Sequence, residues 1–463
     1  MFANVLIANR GEIACRIIRT AHRLGIRAIA LHTPADRGAL FTRLADETIE
    51  GGEGASGYLD GAAILAAAKK VGAECLHPGY GFLSENADFA QSCAEAGVVF
   101  IGPPPSAMRA MGLKSAAKAL MVKAGAPVVP GYHGENQNPK FLKEKAYEIG
   151  YPVLIKAIAG GGGRGMRRVD NHVDFDAGLE SATREGRTAF GDPRVLIEKY
   201  IVSPRHIEVQ VFGDSHGNVV HLFERDCSLQ RRHQKVIEES PAPGLPEATR
   251  AAMTQAAVTA AKAVGYVGAG TVEFIVDCSR GLGPDSFFFL EMNTRLQVEH
   301  PVTEAILGLD LVEWQFLVAA GERLPAHQSD ICPKGWAVEA RLCAEDPETG
   351  FLPSPGLIRA LKLGPVGDGL RIDAGVEAGD SVTPFYDSMI AKVIAHGGSR
   401  EEAMARMSRA LEMFIVEGIH TTIPLHQRIF RDEEFRRGQF DTKFMERFFE
   451  REKARKELEL VGA

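Results

Sequence analysis

The chain has 463 residues, of which 45% are hydrophobic and 24% are charged, a balance typical of a globular enzyme with about three domains. Its formal net charge of -7 disfavours a nucleic-acid-binding protein, although a local basic pocket remains compatible with it, and no apolar run is long enough to predict a membrane span. The seven cysteines are dispersed without a Cys-x-x-Cys pair, which indicates reduced thiols in the cytoplasm and disfavours a zinc site or a disulfide framework.

The N-terminal part of the chain alternates between strand and helix patterns. The predicted strands are residues 5–8, 28–33, 75–78 and 98–101, and the predicted helices are residues 12–24 and 62–71. This order predicts an open α/β sheet. Because a strand follows Met1 at once, we expect no leader peptide. The turn Asn9-Arg-Gly-Glu12 lacks the Gly-x-Gly-x-x-Gly spacing, so a dinucleotide site is poorly supported.

A turn-rich loop, His77-Pro-Gly-Tyr-Gly-Phe-Leu-Ser-Glu-Asn86, follows the end of a predicted strand. Ligands of α/β sheets usually bind beyond the carboxyl ends of the strands, so we expect this loop to contact a ligand. An ordinary surface loop is the alternative interpretation.

A glycine-rich segment gives the first indication of a nucleotide. A predicted strand at residues 151–155 leads into Lys156, and Ala159-Gly-Gly-Gly-Gly-Arg-Gly165 follows. Glycine lets backbone N–H groups approach a phosphate, and a nearby lysine supplies positive charge. The segment does not end in the Gly-Lys-Ser/Thr of a Walker A motif, and a flexible linker has the same composition. Residues 195–201 resemble a strand that contacts adenine in other nucleotide folds, although a plain core strand fits equally well.

A basic cluster, Gln230-Arg-Arg-His-Gln-Lys235, is flanked by Asp226, Glu238 and Glu239. A solvated run of charges is the usual explanation for such a cluster. Its position beside the other nucleotide signals favours an anion pocket instead.

Two apolar runs, residues 271–276 and 287–290, predict an antiparallel hairpin joined by a turn rich in glycine and proline. The hairpin would bring Glu273 close to Glu291 and Asn293, and strand alternation would put Arg295 on the same face. Oxygen ligands of this kind suit Mg²⁺ held against phosphates. The alternative is a half-exposed hairpin whose polar residues face water.

Taken together, these motifs resemble biotin carboxylase, an ATP-grasp enzyme. The matching segments are Ala8-Asn-Arg-Gly-Glu-Ile13, residues 77–86, Arg164-Gly-Met166, residues 224–235, Ser240-Pro-Ala-Pro243, residues 291–301 and Phe385-Tyr-Asp-Ser-Met389. The similarity extends to about residue 446. Ordered matches of this length are far more specific than a single glycine loop.

The resemblance implies a fold of class α/β and α+β. The expected parts are an N-terminal open α/β domain at residues 1–112, an ATP-grasp domain at 113–316 with a mobile lid at about 129–200, a C-terminal biotin carboxylase domain at 317–446 and a charged helical tail at 447–463.

The resemblance also implies the reaction. ATP phosphorylates bicarbonate to carboxyphosphate, which yields CO₂ and phosphate, and the CO₂ reaches a ureido nitrogen of biotin. Mg²⁺ or Mn²⁺ is the expected metal, with Glu273, Glu291 and Asn293 as its ligands. The catalytic set is Lys235, Arg295, Glu299 and Arg341, with Glu299 as the base that deprotonates bicarbonate and Arg341 as the group that binds biotin and stabilises its enolate.

Further binding residues follow from the same resemblance. The expected ATP-binding residues are Lys114, Lys156, Gly162, Gly163, Glu198, Lys199, Tyr200, Ile201, His206, Gln230, His233, Glu273 and Glu291. The expected bicarbonate-binding residues are Lys235, Arg295, Gln297 and Val298. Two positions depart from the family pattern, because Leu113 replaces an aspartate before the phosphate-binding lysine and Ala159 replaces a glycine of the loop.

The subfamily signals are divided. The N-terminal two-thirds of the chain resembles the α-subunit of 3-methylcrotonyl-CoA carboxylase, whereas residues 417–426 look more like the free-standing subunit of acetyl-CoA carboxylase. The chain contains no Met-Lys-Met biotin-acceptor motif and no carboxyltransferase region. We therefore expect a biotin carboxyl carrier protein or domain and a carboxyltransferase subunit as partners, and a homo-oligomer without nucleic acid or membrane. The alternatives are another ATP-grasp carboxylate ligase and a non-catalytic nucleotide-binding subunit.

Overall fold

The structure is a computed structural model. It describes residues 1–52, 54–112, 114–158, 165–232, 234–279, 281–364 and 366–461.

The N-terminal part is an open parallel sheet with helices on its faces, as the sequence predicts. The strands β1 to β5 are Asn4–Ile7, Arg27–His32, Glu47–Glu50, Cys75–His77 and Val99–Phe100, and the helices α1 to α5 are Gly11–Arg23, Leu40–Leu44, Gly61–Lys70, Ala87–Glu95 and Pro105–Gly112. The strand order is β3-β2-β1-β4-β5. Strand β1 is buried in the middle of the sheet, and the apolar face of α1 packs against it, which explains the nearly continuous hydrophobic run in β1.

The next part has a smaller sheet with its own hydrophobic core. Its elements are α6 (Lys114–Lys123), β6 (Gly131–Tyr132), α7 (Pro139–Ile149), β7 (Val153–Ala157), β8 (Met166–Val169), α8 (Phe175–Phe190) and β9 (Val195–Lys199). The strand order is β6-β9-β7-β8, and neighbouring strands run antiparallel. The core is formed by alternate residues of β7 and β9 together with apolar residues of α7 and α8.

A large antiparallel sheet forms the centre of the molecule. Its first strands and their helices are β10 (Pro204–Gly213), β11 (Val219–Arg231), β12 (Gln234–Ser240), α9 (Glu247–Ala263), β13 (Gly268–Asp277), β14 (Phe287–Asn293), α10 (His300–Leu307) and α11 (Leu311–Ala319). Helix α9 covers one face of this sheet, where small residues of the helix pack against apolar residues of β10 and β13. The predicted hairpin of residues 271–276 and 287–290 is confirmed as β13 and β14.

The C-terminal part continues the same sheet. Its elements are β15 (Trp336–Cys343), β16 (Glu345–Asp346), β17 (Leu352–Pro353), β18 (Gly356–Leu357), β19 (Ala360–Lys362), β20 (Leu370–Ala374), β21 (Ser381–Val382), β22 (Met389–Gly397), α12 (Arg400–Met413), β23 (Ile415–Glu417), α13 (Ile423–Ile429), α14 (Glu433–Arg436) and α15 (Phe444–Val461). Strand β15 pairs with β12, so the full order is β14-β13-β10-β11-β12-β15-β22-β20. One sheet therefore crosses the domain boundary that the sequence predicts near residue 316.

Two properties of the described residues bear on the environment of the chain. Among them, no helix combines the length and the apolar character that crossing a membrane requires. All seven cysteines are free thiols, and Cys15, Cys75, Cys93 and Cys227 are buried.

Candidate active site

Lys235 lies at the centre of a buried cluster of carboxylates. Its Nζ atom lies 2.6 Å from Oε2 of Glu208, 3.2 Å from Oε1 of Glu273 and 2.5 Å from Oε1 of Glu299. The lysine comes from β12, and its partners come from β10, β13 and the segment after β14, so the sheet brings them together. Burial alone would lower the pKa of the ammonium group, but the surrounding acids raise this pKa well above its usual value. Lys235 therefore stays charged.

Arg341 on β15 is held by two acids. Its Nε atom donates to Oε1 of Glu238 at 2.7 Å, and its Nη2 atom donates to Oε2 of Glu299 at 2.8 Å. Glu299 thus connects Lys235 and Arg341 through its two oxygens. Burial would raise the pKa of Glu299, but the two cations lower this pKa well below its usual value. At rest Glu299 is a carboxylate that cannot easily take up a proton.

The β13–β14 hairpin supplies the candidate metal ligands. Glu273 is the register partner of Glu291, and the Nδ2 atom of Asn293 donates to Oε1 of Glu273 at 2.7 Å. The hairpin therefore groups two carboxylates and an amide carbonyl at one edge of the sheet. Such hard oxygen donors fit Mg²⁺ or Mn²⁺.

The prediction that Arg295 shares a strand face with Asn293 is wrong, because β14 ends at Asn293. The Arg295 side chain still reaches the site, with Nη2 at 3.3 Å from Oδ1 of Asn293 and Nε at 3.1 Å from Oε2 of Glu85. Glu85 belongs to the turn-rich loop of residues 77–86, and it also accepts a hydrogen bond from the backbone N–H of Thr294 at 2.8 Å.

Two groups of side chains among the described residues have the spacing of metal ligands. They are His206, Glu208 and Glu273 in one group, and Glu208, Cys227 and Glu299 in the other. Both groups surround the ammonium of Lys235, which contacts both acids of each group. This fixed cation already compensates their charge, so neither group requires a further metal.

The segment that follows Arg295 carries the remaining predicted bicarbonate ligands. Gln297 donates from Nε2 to Oε1 of Glu273 at 3.0 Å, and its Oε1 accepts from the buried Arg225 at 2.8 Å. The backbone oxygen of Val298 accepts from Nζ of Lys392 at 2.8 Å. These bonds fix the backbone between Arg295 and Glu299.

Glu198 on β9 lies beside the predicted phosphate-binding residues. It forms ion pairs with Lys156 of β7 and with Lys118 of α6. Burial would raise the pKa of Glu198, but the two ammonium groups lower it to about 2. One buried carboxylate therefore pairs with both cations.

Lys199 and Tyr200 contact other parts of the chain. Nζ of Lys199 donates to the backbone oxygens of Gly150 at 2.7 Å and Tyr151 at 2.9 Å. The guanidinium of Arg168 lies over the Tyr200 ring, with its Cζ atom 4.5 Å from the ring centroid. Ile201, which follows, is buried.

A chain of polar contacts links Gln230 through His206 to Glu273, one of the candidate metal ligands. Nε2 of Gln230 donates to Nδ1 of His206 at 2.7 Å and to the backbone oxygen of Cys227 at 2.8 Å. Nε2 of His206 lies 3.1 Å from Oε2 of Glu273. Burial would lower the pKa of His206, but Glu273 raises it above the usual value.

Some predicted positions lie outside the described part of the chain. They are Leu113, Ala159, Gly162, Gly163, His233 and the side chain of Lys114.

A cavity of about 630 Å³ opens above Lys235 and Arg341. Its walls come from the motifs that the sequence analysis singled out. The wall segments include Asn9, Arg10, Gly11 and Glu12, Tyr80, Gly81 and Phe82, and Phe385, Tyr386, Asp387, Ser388 and Met389, with Arg295 and Val298 also lining the cavity. Three residues of the loop at residues 77–86 thus line the cavity, and the ligand role of this loop stays a prediction.

Sequence reasoning missed Glu208, Glu238 and Lys118. Glu208 lies between Ile207 and Val209 in an apolar strand segment, which is the same signal that identified Glu273, so a search for every acid inside an apolar strand would have found it. Glu238 lies in the largely polar strand Gln234–Ser240, and no local signal marks its role. Lys118 lies on an amphipathic helix without a distinguishing pattern, so no local signal marks it.

Comparisons with known proteins cover nearly the whole chain. The family described as "Biotin carboxylase, N-terminal domain" matches residues 1–108, "Carbamoyl-phosphate synthase L chain, ATP binding domain" matches residues 114–327, and "Biotin carboxylase C-terminal domain" matches residues 339–447. These matches confirm the predicted fold class, with an N-terminal α/β domain, an ATP-grasp domain and a C-terminal biotin carboxylase domain.

Curated relatives agree with these families. Biotin carboxylase 1 of Bacillus subtilis is 50% identical over 97% of this chain and 99% of its own length. The mitochondrial methylcrotonoyl-CoA carboxylase subunit alpha of Dictyostelium discoideum is 52% identical over 95% of this chain, but the match spans only 63% of that subunit. The corresponding Arabidopsis thaliana subunit is 53% identical and is matched over 60% of its length. The chain thus spans about three fifths of these α-subunits.

Solved structures agree as well. The biotin carboxylase complex from Campylobacter jejuni is 47% identical, with a TM-score of 0.88 and coverage of 96% of this chain and 99% of that chain. The biotin carboxylase domain of Hydrogenobacter thermophilus 2-oxoglutarate carboxylase, solved with MgADP and bicarbonate, is 47% identical with a TM-score of 0.87. It covers 96% of this chain and 98% of its own.

Proposed function

Because this chain belongs to the biotin carboxylase family, we propose that it uses ATP and bicarbonate to carboxylate biotin on a separate carrier protein or domain. The observation that supports this most strongly is Glu299, which contacts Lys235 through one oxygen and Arg341 through the other. Glu299, the proposed base for bicarbonate, thus lies between Lys235, which would act in the phosphorylation step, and Arg341, which lines the ligand cavity.

The nucleotide half of the site lies between the small sheet and the central sheet. Lys156 and Lys118, now paired with Glu198, would turn to the phosphates of ATP. Glu273, Glu291 and Asn293 would hold Mg²⁺ or Mn²⁺, which supplies positive charge against the phosphate oxygens when bound. Fixed cations of this kind stabilise the charge that develops during phosphoryl transfer.

The bicarbonate half is assigned to Lys235, Arg295, Gln297 and Val298, with Glu299 as the base. The two cations that lower the pKa of Glu299 make it a weak base at rest. When the bicarbonate anion binds beside Lys235, it competes with Glu299 for the positive charge of the ammonium group. The attraction between Lys235 and Glu299 becomes weaker, and the pKa of Glu299 rises. The O–H bond of bicarbonate then breaks, an O–H bond forms on Glu299, and the resulting carbonate attacks the γ-phosphorus of ATP to give carboxyphosphate and ADP.

The biotin half is assigned to the cavity above Arg341. Carboxyphosphate releases CO₂ and phosphate, and the phosphate takes the proton of the ureido nitrogen. Arg341 then faces the negative charge on the ureido oxygen, and the nitrogen attacks CO₂. Walls from both the N-terminal and C-terminal parts would exclude water from this labile CO₂.

The partners of this reaction are also part of the proposal. Relatives named methylcrotonoyl-CoA carboxylase subunit alpha extend well beyond the matched region, which supports a biotin carrier as a separate protein or as a further domain. We propose a carboxyltransferase subunit that receives the carboxyl group, a homo-oligomeric state, and the cytoplasm as the compartment. The dispersed free thiols support a reducing compartment.

One assay tests the proposal directly. The purified chain is incubated with MgATP, with and without bicarbonate and free biotin, and ADP, AMP and carboxybiotin are measured. We expect ADP release that depends on bicarbonate and that free biotin stimulates. AMP as the product, or ADP release indifferent to bicarbonate, would instead identify a different ATP-grasp ligase. Tight ATP binding without turnover would identify a non-catalytic nucleotide-binding subunit.

A further inference from the structure

Glu238 is a buried acid whose side chain, among the described residues, hydrogen-bonds only to Arg341. It lies on β12, and its Oε1 atom accepts from Nε of Arg341 at 2.7 Å. The Nη2 atom of Arg341 lies 2.5 Å from the same oxygen. The other oxygen, Oε2, is buried and finds no hydrogen-bond partner among the described residues. A buried carboxylate with a single charged partner is tied closely to the position of that partner.

Arg341 has two such anchors at rest, Glu238 and Glu299. In the proposed reaction, Glu299 gains the proton that bicarbonate loses, so its carboxylate becomes a neutral carboxylic acid. A neutral acid can still accept a hydrogen bond from a guanidinium, but the attraction between opposite charges is lost and the contact becomes weaker. The contact between Arg341 and Glu299 is thus weakened just before Arg341 has to bind biotin.

A third acid near Arg341 does not act as an anchor. Glu339 is the register partner of Glu238 on the neighbouring strand, and both of its carboxyl oxygens are buried without a hydrogen-bond partner among the described residues. Burial raises the pKa of Glu339 well above its usual value. Among the described residues, Glu238 is therefore the acid that still bonds to Arg341 when Glu299 is protonated.

We propose that Glu238 is a positioning residue for the biotin half of the reaction, which keeps the Arg341 guanidinium at the cavity while Glu299 carries the proton from bicarbonate. This inference rests on the proposed function. It also explains the order of events. Arg341 is neutralised by two carboxylates at rest, and proton transfer to Glu299 removes one of them. The positive charge of the guanidinium is then no longer neutralised by two carboxylates and can stabilise the biotin enolate, while Glu238 holds Arg341 in position.

The test compares two products in the same reaction. ADP release reports the phosphorylation of bicarbonate, and labelled carboxybiotin, formed from labelled bicarbonate and free biotin, reports the biotin half. Burial raises the pKa of Glu238 to about 7 against the opposing effect of Arg341, so the assay is run above this pH, where the anchor is charged. We expect Glu238→Gln to keep bicarbonate-dependent ADP release within a few-fold of the unchanged enzyme. The carboxybiotin formed per ADP should fall by about tenfold or more, as for the loss of one bond to a charged group.

A matched control comes from the next residue. Glu239 is equally buried on the same strand but points to the other face, where Arg400 and Trp336 bind it. Glu239→Gln should leave the ratio of carboxybiotin to ADP unchanged, although it can lower the melting temperature. Glu238→Asp keeps the charge but withdraws it by one methylene, so its ratio should lie between those of the unchanged enzyme and Glu238→Gln.

The outcomes are distinct. An unchanged ratio in Glu238→Gln, or an equal fall in Glu239→Gln, would overturn the inference. If Glu238→Gln does not fold, the ratio in Glu238→Asp decides, and a value equal to that of the unchanged enzyme overturns it. Failure of the proposed function looks different, because the unchanged chain itself would then form no carboxybiotin.

Discussion

The Lys235 ammonium and a carboxylate oxygen of Glu299 lie 2.5 Å apart, although 64 residues separate them in the chain. Glu299 is buried and the Lys235 side chain is only 12% exposed, so each is stabilised as an ion by the other. The contact makes Glu299 a weak base until a substrate anion reaches Lys235. Substrate binding and activation of the base are thereby coupled.

The first prediction concerns this base. Glu299→Gln removes the proton acceptor and leaves Glu198, Lys156 and Lys118 untouched. Bicarbonate-dependent ADP release should fall by about 10² to 10⁴, while the dissociation constant for ATP changes little. Steady-state ADP release and nucleotide binding by calorimetry measure the two quantities. Retention of more than a tenth of the activity would mean that another group accepts the proton.

The second prediction separates the two half-reactions. Removing the Arg341 side chain altogether would leave Glu238 without its partner and Glu299 with Lys235 alone, so Arg341→Lys is the cleaner change. A lysine keeps the charge but cannot make the forked contacts of a guanidinium. We expect bicarbonate-dependent ADP release to continue while carboxybiotin formation is lost. An equal proportional loss of both products would show that Arg341 acts in the phosphorylation step too.

The third prediction concerns the metal ligands. Glu291→Gln removes one negative charge opposite Glu273, so Mg²⁺-dependent ATP binding should weaken and turnover should collapse. Asp277→Asn, at the far end of the same hairpin, is the control and should behave like the unchanged chain. Magnesium titrations of ATP affinity and of rate give the comparison. A normal rate at limiting Mg²⁺ in Glu291→Gln would leave the hairpin with a purely structural role.

The fourth prediction uses the pKa of Glu198, which two lysines lower from the usual 4.5 to about 2 against the effect of burial. A depressed carboxyl pKa stabilises the fold above the unfolded-state pKa, and this stabilisation is lost as the pH falls from about 4.5 towards 2. The unchanged chain should therefore lose more free energy of unfolding over this range than Glu198→Gln. Urea unfolding midpoints at several pH values measure the difference. Parallel curves for the two proteins would argue against the ion pairs in solution.

The fifth prediction concerns biotin itself. This sequence contains no Met-Lys-Met acceptor motif, so the chain should carry no covalent biotin after co-expression with a biotin ligase. A streptavidin blot of the purified chain, beside a known carrier domain as positive control, answers the question. A band at the mass of this chain would refute the prediction that the carrier is separate from these residues.

Local sequence patterns predicted a large part of this protein. Hydrophobic patterns identified β1, β2, β4 and β5 and the helices α1 and α3 of the N-terminal part, because the strands are apolar runs and a helix that buries one face repeats its apolar residues at that face. They did not identify β3, α2, α4 or α5. The hairpin of β13 and β14 was also predictable, since two short apolar runs and a glycine-rich turn define it. The pairing of Glu273 with Glu291 followed directly. The expected position of Arg295 on the strand was wrong, because alternation continues only as far as the strand does.

The sequence by itself therefore determined the family, the ordered motifs and the residue types available for chemistry. Only the tertiary structure decided that β12 and β15 are neighbours, which brings Glu238 to Arg341 across 103 residues of chain. It likewise showed that Lys235 compensates three acids from three different segments. The physical reason is that ion pairing and burial depend on distances between segments, and no local pattern encodes the partner of a buried charge.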